Sequence, residues 1–303
     1  VEGGVSVLKV GRVVLLISVF GSLAFSQSVV LEAYGDSLTA GFLADTSLIN
    51  PPPLEKLSKT LEELAFAFIQ KDRSAMKKFE SHENAWPHFL SESLKREGID
   101  VAEVVNLAVS GSKSAEIITQ VKQRGKSNAT NWAFFFVGHN DLCHVMGDEA
   151  TVAGQFRKHL NESLAEWEKN HEGSTAYLIP AGPIYKLYPV LDNYEWFQSE
   201  QKTFKCQDAW TKYFPYCVHF YQRYKRGDLE SYLKPRTQAV NEVVTELVKE
   251  WDKKSGGRNH YRYIADPWPM PLEPKLFAMD CYHQAEPGQR IFADNVLSAI
   301  LRQ

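Results

Sequence analysis

Short apolar runs alternate along most of the chain with longer stretches in which apolar residues recur every three or four positions. Residues 28–34 (SVVLEAY) are rich in β-branched and apolar side chains and stop at Gly35, which predicts a strand. Residues 101–108, 131–137 (NWAFFFV), 175–179 and 260–265 predict further strands. Between them the spacing turns helical. Leu57, Leu61, Leu64 and Phe68 mark a helix within 54–79, and a second starts near Trp86-Pro87, where proline suits a first helical turn. Ile117, Ile118 and Val121 share one face of a helix over 112–124, and Phe156, Leu160, Leu164 and Trp167 one over 152–169. Residues 237–253 and 288–301 predict the last two helices. Strands that alternate with helices imply an α/β fold, with a parallel sheet covered on both faces and its sites on the loops at the carboxyl ends of the strands. Two segments exceed what the alternation needs. One spans about 44–85; the other spans 185–232 and holds 14 aromatic residues, enough for a satellite core or for a cap over an apolar pocket.

The first 26 residues read differently. Lys9 and Arg12 precede an uncharged 13-residue run, VVLLISVFGSLAF, and small residues Ala24 and Ser26 follow at cleavage-site spacing. The run is shorter than the roughly 20 residues that span a bilayer, so 1–26 is expected to be a cleaved signal peptide and 27–303 a single exported domain, secreted or periplasmic. Export places the four cysteines in an oxidising compartment. Three pairings are open. Cys206 and Cys217, 11 positions apart, close a short loop at little entropic cost, which leaves Cys143 for Cys281. With 34 basic and 37 acidic residues among 303, the chain lacks the basic excess of a nucleic-acid binder, and its 44% hydrophobic content excludes a disordered one.

The candidate chemistry sits where the pattern places loops. Gly35-Asp36-Ser37-Leu38-Thr39-Ala40-Gly41 follows the first strand, so the Ser37 hydroxyl lies at the sheet's carboxyl edge on a strand-to-helix turn. A bare hydroxyl is a weak nucleophile and needs an adjacent base. Asp280-Cys281-Tyr282-His283 supplies one, with Asp280 placed to hold Nδ1 of His283 and leave Nε2 for Ser37. An oxyanion needs donors. Gly111, after the second strand, offers an amide that no Cβ obstructs, and Asn140, after the third, offers a side-chain amide. The amide of Ser37 itself is a third. His139, Asp141 and His144 cluster in sequence but lack the spacing of a helical metal motif, so no metal is expected.

These four blocks, in this order, resemble the SGNH (GDSL) hydrolase family, named for the Ser, Gly, Asn and His that stand here as Ser37, Gly111, Asn140 and His283. The chain departs from the family at Gln284, where many members have proline. The resemblance implies a three-layer α/β/α sandwich of flavodoxin-like type and ester hydrolysis through an acyl-enzyme without a cofactor. Asn-Asp-Leu-Cys at 140–143, Asp-Cys-x-His at 280–283 and Gly288-Gln289 look like the phospholipase B-like branch. That branch implies phospholipids, lysophospholipids or related lipid esters as substrates; the partner expected is a small-molecule or lipid ester, with transient contact at a membrane surface and no nucleic acid. The alternatives are a carbohydrate O-acetylesterase and a non-catalytic lipid- or sugar-binding module on the same fold.

Overall fold

The computed structural model of the chain describes residues 28–46, 73–199, 202–213, 217–265 and 267–303, with the isolated positions 59 and 63. The expected leader and most of the expected 54–79 helix lie outside the described residues; within the latter, Arg73–Lys77 is helical.

Five strands form one parallel sheet: β1 (Val29–Gly35), β2 (Val101–Asn106), β3 (Thr130–Phe136), β4 (Thr175–Ile179) and β7 (His260–Tyr263), in the order β2-β1-β3-β4-β7. A separate antiparallel pair, β5 (Glu195–Ser199) and β6 (Lys202–Lys205), lies in the aromatic segment. Among the helices of the described residues, those that organise the rest are α1 (Ser37–Ala40), α2 (Trp86–Arg96), α3 (Ser114–Arg124), α4 (His139–His144), α5 (Glu149–Asn170), α6 (Val218–Arg226), α7 (Leu229–Ser255) and α8 (Glu286–Ile300). Helices α2 and α8 pack on each other over one face; α3, α5 and α7 cover the other. This is the three-layer α/β/α sandwich. The run FFF in β3 shows why its strands read as unbroken apolar runs: Phe134 and Phe136 enter the core under α2 and α8, while Phe135 enters the core under α3, α5 and α7.

β1 is buried along its whole length, and the strand order reverses beside it: β2 lies on one side and β3 on the other. The loops leaving β1 and β3 therefore diverge at adjacent strand ends, the place where open α/β sheets bind ligands. Gly35 makes that junction close. A Cβ there would stand 2.4 Å from the Phe136 carbonyl and 2.6 Å from Thr39 Oγ1.

Two expectations need correcting. Helix α7 begins at Leu229, eight residues earlier than the pattern predicts, and runs through Pro235. The proline costs a hydrogen bond near the amino end, but Leu229 and Leu233 continue the buried stripe of Val240, Val244 and Leu247, and that burial wins. The disulfides join Cys143 to Cys217 and Cys206 to Cys281, with Cα–Cα separations of 5.6 and 5.4 Å, so Cys206 and Cys217 do not pair. Loop length alone is a poor guide because the described chain between them is helical rather than a free loop. The Cys206–Asp208 turn and the helical turn Ala209–Tyr213 set the two half-cystines against different loops.

Candidate active site

Ser37 opens α1, a single turn capped by Asp36, whose Oδ1 accepts the Leu38 amide at 3.0 Å. Three more contacts fix this turn. Gln120 grips Gly35 with both ends of its amide, accepting from the backbone N–H at 2.9 Å and donating to the carbonyl at 2.8 Å. Asn106, at the end of β2, donates to the Thr39 carbonyl at 2.7 Å. Gln289 on α8 donates to the Leu38 carbonyl at 3.2 Å while accepting the Trp86 amide at 3.0 Å. The hydroxyl is thus carried by backbone held from three elements.

The second partner arrives from near the carboxyl end of the chain. Ala278–His283 folds into a closed turn, with Cys281 N–H donating to the Ala278 carbonyl and Ala278 N–H to the His283 carbonyl. Asp280 Oδ1 accepts the amides of Tyr282 and His283, both at 3.0 Å. Its Oδ2 meets His283 Nδ1 at 2.5 Å. His283 Nε2 stands 2.7 Å from Ser37 Oγ, closing a contact across 246 residues of sequence. Asp280 is fully buried and His283 nearly so, which keeps water from competing for either bond. The Phe42 ring packs edge-on against the imidazole, 5.0 Å between centroids.

Gly111 and Asn140 line the same cavity as Ser37 and His283, together with Leu38, Phe42, Ser110, His139, His144, Cys217 and Tyr282. Asn140 donates one amide hydrogen to the Ser112 carbonyl at 3.0 Å, which ties the loop after β3 to the loop after β2 and leaves the other hydrogen for a ligand. Gly111 has φ +78, a conformation that favours glycine, while a Cβ there would meet only Met76 at 3.9 Å. Backbone conformation, rather than clearance for the amide, explains the residue.

The neighbouring acidic and histidine groups have other duties. Asp141 accepts both the amide and the hydroxyl of Ser114, at 2.9 and 2.5 Å, and so anchors the start of α3. Burial pushes its carboxyl up, against the pull of those two bonds. His139 Nε2 accepts the Gly182 amide at 2.8 Å, so its ring proton sits on Nδ1, facing Asp36 Oδ2 at 3.5 Å. His139 and Asp141 are therefore committed to different partners. The aromatic segment contributes one described wall residue, Cys217; Tyr188, Trp210, Phe220 and Tyr221 are instead buried in the core shared with α7. Sequence reasoning gave Gln120 and Asn106 no role, and used Gln289 only as part of the Gly288-Gln289 run. The one available signal was an amide side chain at a core-facing helical position, as at Gln120 in phase with Ile117 and Val121.

Comparison with known proteins supplies the family. A family model described as GDSL-like Lipase/Acylhydrolase matches residues 31–296. No curated protein matches the chain. Among solved structures, the chain is similar to the psychrotrophic esterase EstA from Pseudoalteromonas sp. inhibited by monoethylphosphonate, at 12% identity and TM-score 0.45 over 90% of this chain and 97% of that one. It is similar to phospholipase A1 from Streptomyces albidoflavus NA297 at 12% identity and TM-score 0.42, over 90% and 98%. It is also similar to a carbohydrate esterase with divergent catalytic and non-catalytic binding functions, at 10% identity and TM-score 0.47, over 91% and 69%.

Proposed function

The chain belongs to the GDSL-like lipase/acylhydrolase family of serine ester hydrolases, and from that premise we propose that Ser37, His283 and Asp280 are its catalytic triad and that its substrates are lipid esters. The observation that carries the triad is the 2.7 Å contact between Ser37 Oγ and His283 Nε2, backed by Asp280 on Nδ1.

Ser37 Oγ attacks the ester carbonyl carbon and its proton passes to His283 Nε2. The carbonyl oxygen becomes an oxyanion held by the amides of Ser37 and Gly111 and by the second amide hydrogen of Asn140. Asp280 stabilises the imidazolium and fixes the ring. The intermediate collapses, and Nε2 returns the proton to the departing alcohol. Water then gives a proton to Nε2 and adds to the acyl-enzyme; collapse releases the acid and restores the serine.

The lipid reading draws support from the cavity wall. Apart from the proposed machinery, it includes Leu38, Phe42, Tyr282 and the half-cystine Cys217 beside the polar Ser110, His139 and His144, and the apolar members suit an acyl chain better than sugar hydroxyls. The phospholipase B-like runs at 140–143 and 280–283 point the same way. The two bridges support an exported protein.

Ser37→Ala should lower turnover of p-nitrophenyl esters by at least about 10⁴-fold with the melting temperature unchanged, and a fluorophosphonate should form an adduct on Ser37 seen by mass spectrometry. Turnover at the parent rate would reject the triad, and absence of the adduct would favour the binding module. Acetyl, octanoyl and palmitoyl esters, with lysophosphatidylcholine, test the substrate. Activity confined to acetyl esters would replace the lipid reading with the O-acetylesterase.

A further inference from the structure

Both disulfides leave the same segment and end on different loops of the site. Cys217, at the start of α6, is bonded to Cys143, three residues beyond Asn140. Cys206, just after β6, is bonded to Cys281, between Asp280 and His283. The sequence separations are 74 and 75 residues, so neither bridge merely closes a local turn. We infer that segment 185–232 is a clamp, and that Cys206 and Cys217 are positioning residues for the acid–base loop and the oxyanion loop respectively; this rests on the catalytic reading above.

A clamp must itself be held together. The segment's aromatic residues pack on one another within the core shared with α7: Tyr188 and Trp210 have centroids 4.7 Å apart, and Trp210 and Tyr221 5.4 Å apart. Asp192 ties two of its helical pieces together, accepting from the Tyr221 hydroxyl at 3.0 Å and from Lys225 at 2.9 Å. The Cys206 amide donates to the Tyr194 carbonyl at 3.2 Å, so the half-cystine sits on fixed backbone. The held loops carry little regular secondary structure, although the acid–base turn is hydrogen-bonded within itself. Between β7 and α8 the described chain has a single three-residue helical turn, Pro274–Leu276. Cys281 adopts φ +57, a conformation that side chains other than glycine take at a cost and that persists where surrounding structure imposes it. The covalent link through Cys206 is one such constraint, and it acts on the residue next to Asp280. The other loop is the six-residue α4, whose Asn140 is fixed at one amide hydrogen only.

The two arms of the clamp predict different kinetic defects. Cys206→Ser frees the turn that sets the Asp280–His283 geometry, so it should lower kcat about ten- to a hundredfold and move the acid limb of the kcat/KM pH profile. Cys217→Ser frees the oxyanion side, so it should lower kcat similarly and weaken a boronic-acid transition-state analogue by about the same factor, with the pH profile unmoved. Both are measured on the full chain at a temperature where circular dichroism shows the variant folded. A variant that does not fold is replaced by native protein, mildly reduced with a phosphine and alkylated, its modified cysteines read by mass spectrometry and the same assays repeated. Parental kinetics in both cases, or losses that track only the unfolded fraction, would overturn the clamp. Failure of the catalytic reading is seen separately, as a parent protein that neither turns over esters nor takes the fluorophosphonate.

Discussion

β1 feeds two buried histidine–carboxylate pairs, and they differ in one nitrogen. At its carboxyl end the Asp280–His283 pair spends Nδ1 on the carboxylate and leaves Nε2 against Ser37 Oγ, a group that both donates and accepts. In the middle of the strand, Glu32 pairs with His171, but there Nδ1 faces the Trp167 carbonyl at 2.9 Å and Nε2 faces Glu32 Oε1 at 3.2 Å. Both nitrogens of His171 face carbonyl or carboxylate oxygens, so neither is offered a hydroxyl whose proton it could take. Its plane stacks on Trp167 at 4.7 Å. Glu32 also accepts from Tyr34, Arg124 and Trp167, at 2.8, 2.7 and 3.3 Å. The same two side-chain types thus make a proton relay in one place and a structural knot in the other. What decides is whether the second nitrogen meets a hydroxyl or a carbonyl.

Substituting each carboxylate by its amide tests this division. Asp280→Asn should lower kcat by about 10⁴-fold, because the amide favours the wrong tautomer, with the melting temperature little changed. Glu32→Gln should leave kcat intact on folded protein and cost about 3–5 kcal/mol of stability, because Arg124 and His171 lose a buried counter-charge. Urea denaturation and ester turnover on both variants suffice; a crossed result breaks the comparison. Asn140→Ala ranks next. Loss of one oxyanion donor should lower kcat about 10²–10³-fold, with KM little affected.

The catalytic pair was easier to foresee than the knot. Ser37 stands on a turn between a strand and a helix, and Asp280 and His283 lie three residues apart, so each local pattern already suggested chemistry. Glu32 gave a fainter sign, a charge inside the apolar run SVVLEAY, and its partners Arg124, Trp167 and His171 lie 92, 135 and 139 residues away. Gln120 and Gln289 act on the site from 85 and 251 residues' distance, through backbone groups that carry no sequence mark. The sheet was legible because its strands are buried on both faces and read as apolar runs. The disulfide partners were not, because they depend on where an inserted segment docks. The expected start of α7 at 237 was late for a related reason: a proline at 235 argues locally against a helix there, and the continuing buried stripe overrules it.

Acid should separate the two pairs more finely. Burial pushes the Glu32 carboxyl up, but the bonds from His171, Tyr34 and Arg124 outweigh it and hold the group below the usual range. A carboxylate depressed in the folded state stabilises the fold above its unfolded value, and that contribution is lost as pH falls through the folded one. The parent should therefore lose stability from about pH 4–5 downward, and Glu32→Gln should show a shallower acid limb in denaturant titrations from pH 7 to 3. An acid limb of unchanged slope in that variant would place the pH-dependent stability elsewhere.

The smallest effect isolates a single bond of the knot. Tyr34 donates its hydroxyl to Glu32 Oε2 at 2.8 Å while its ring stacks on Phe135 at 4.9 Å. Tyr34→Phe keeps the stack and removes the donor. Burial and the adjacent Glu32 push the Tyr34 phenol far above its usual range, so it remains a donor at any pH where the fold survives. The variant should lose about 1.5–3 kcal/mol, the range for a hydrogen bond to a charged group, and the low end of it with three other donors still in place. Its turnover should match the parent's, although Tyr34 lies three residues from Ser37. The nucleophile turn is held instead by Asp36, Asn106, Gln120 and Gln289, none of which touches the Tyr34 hydroxyl. A fall in kcat without a fall in stability would mean that strain in β1 passes from the knot to Ser37, and the two pairs would then be coupled rather than separate.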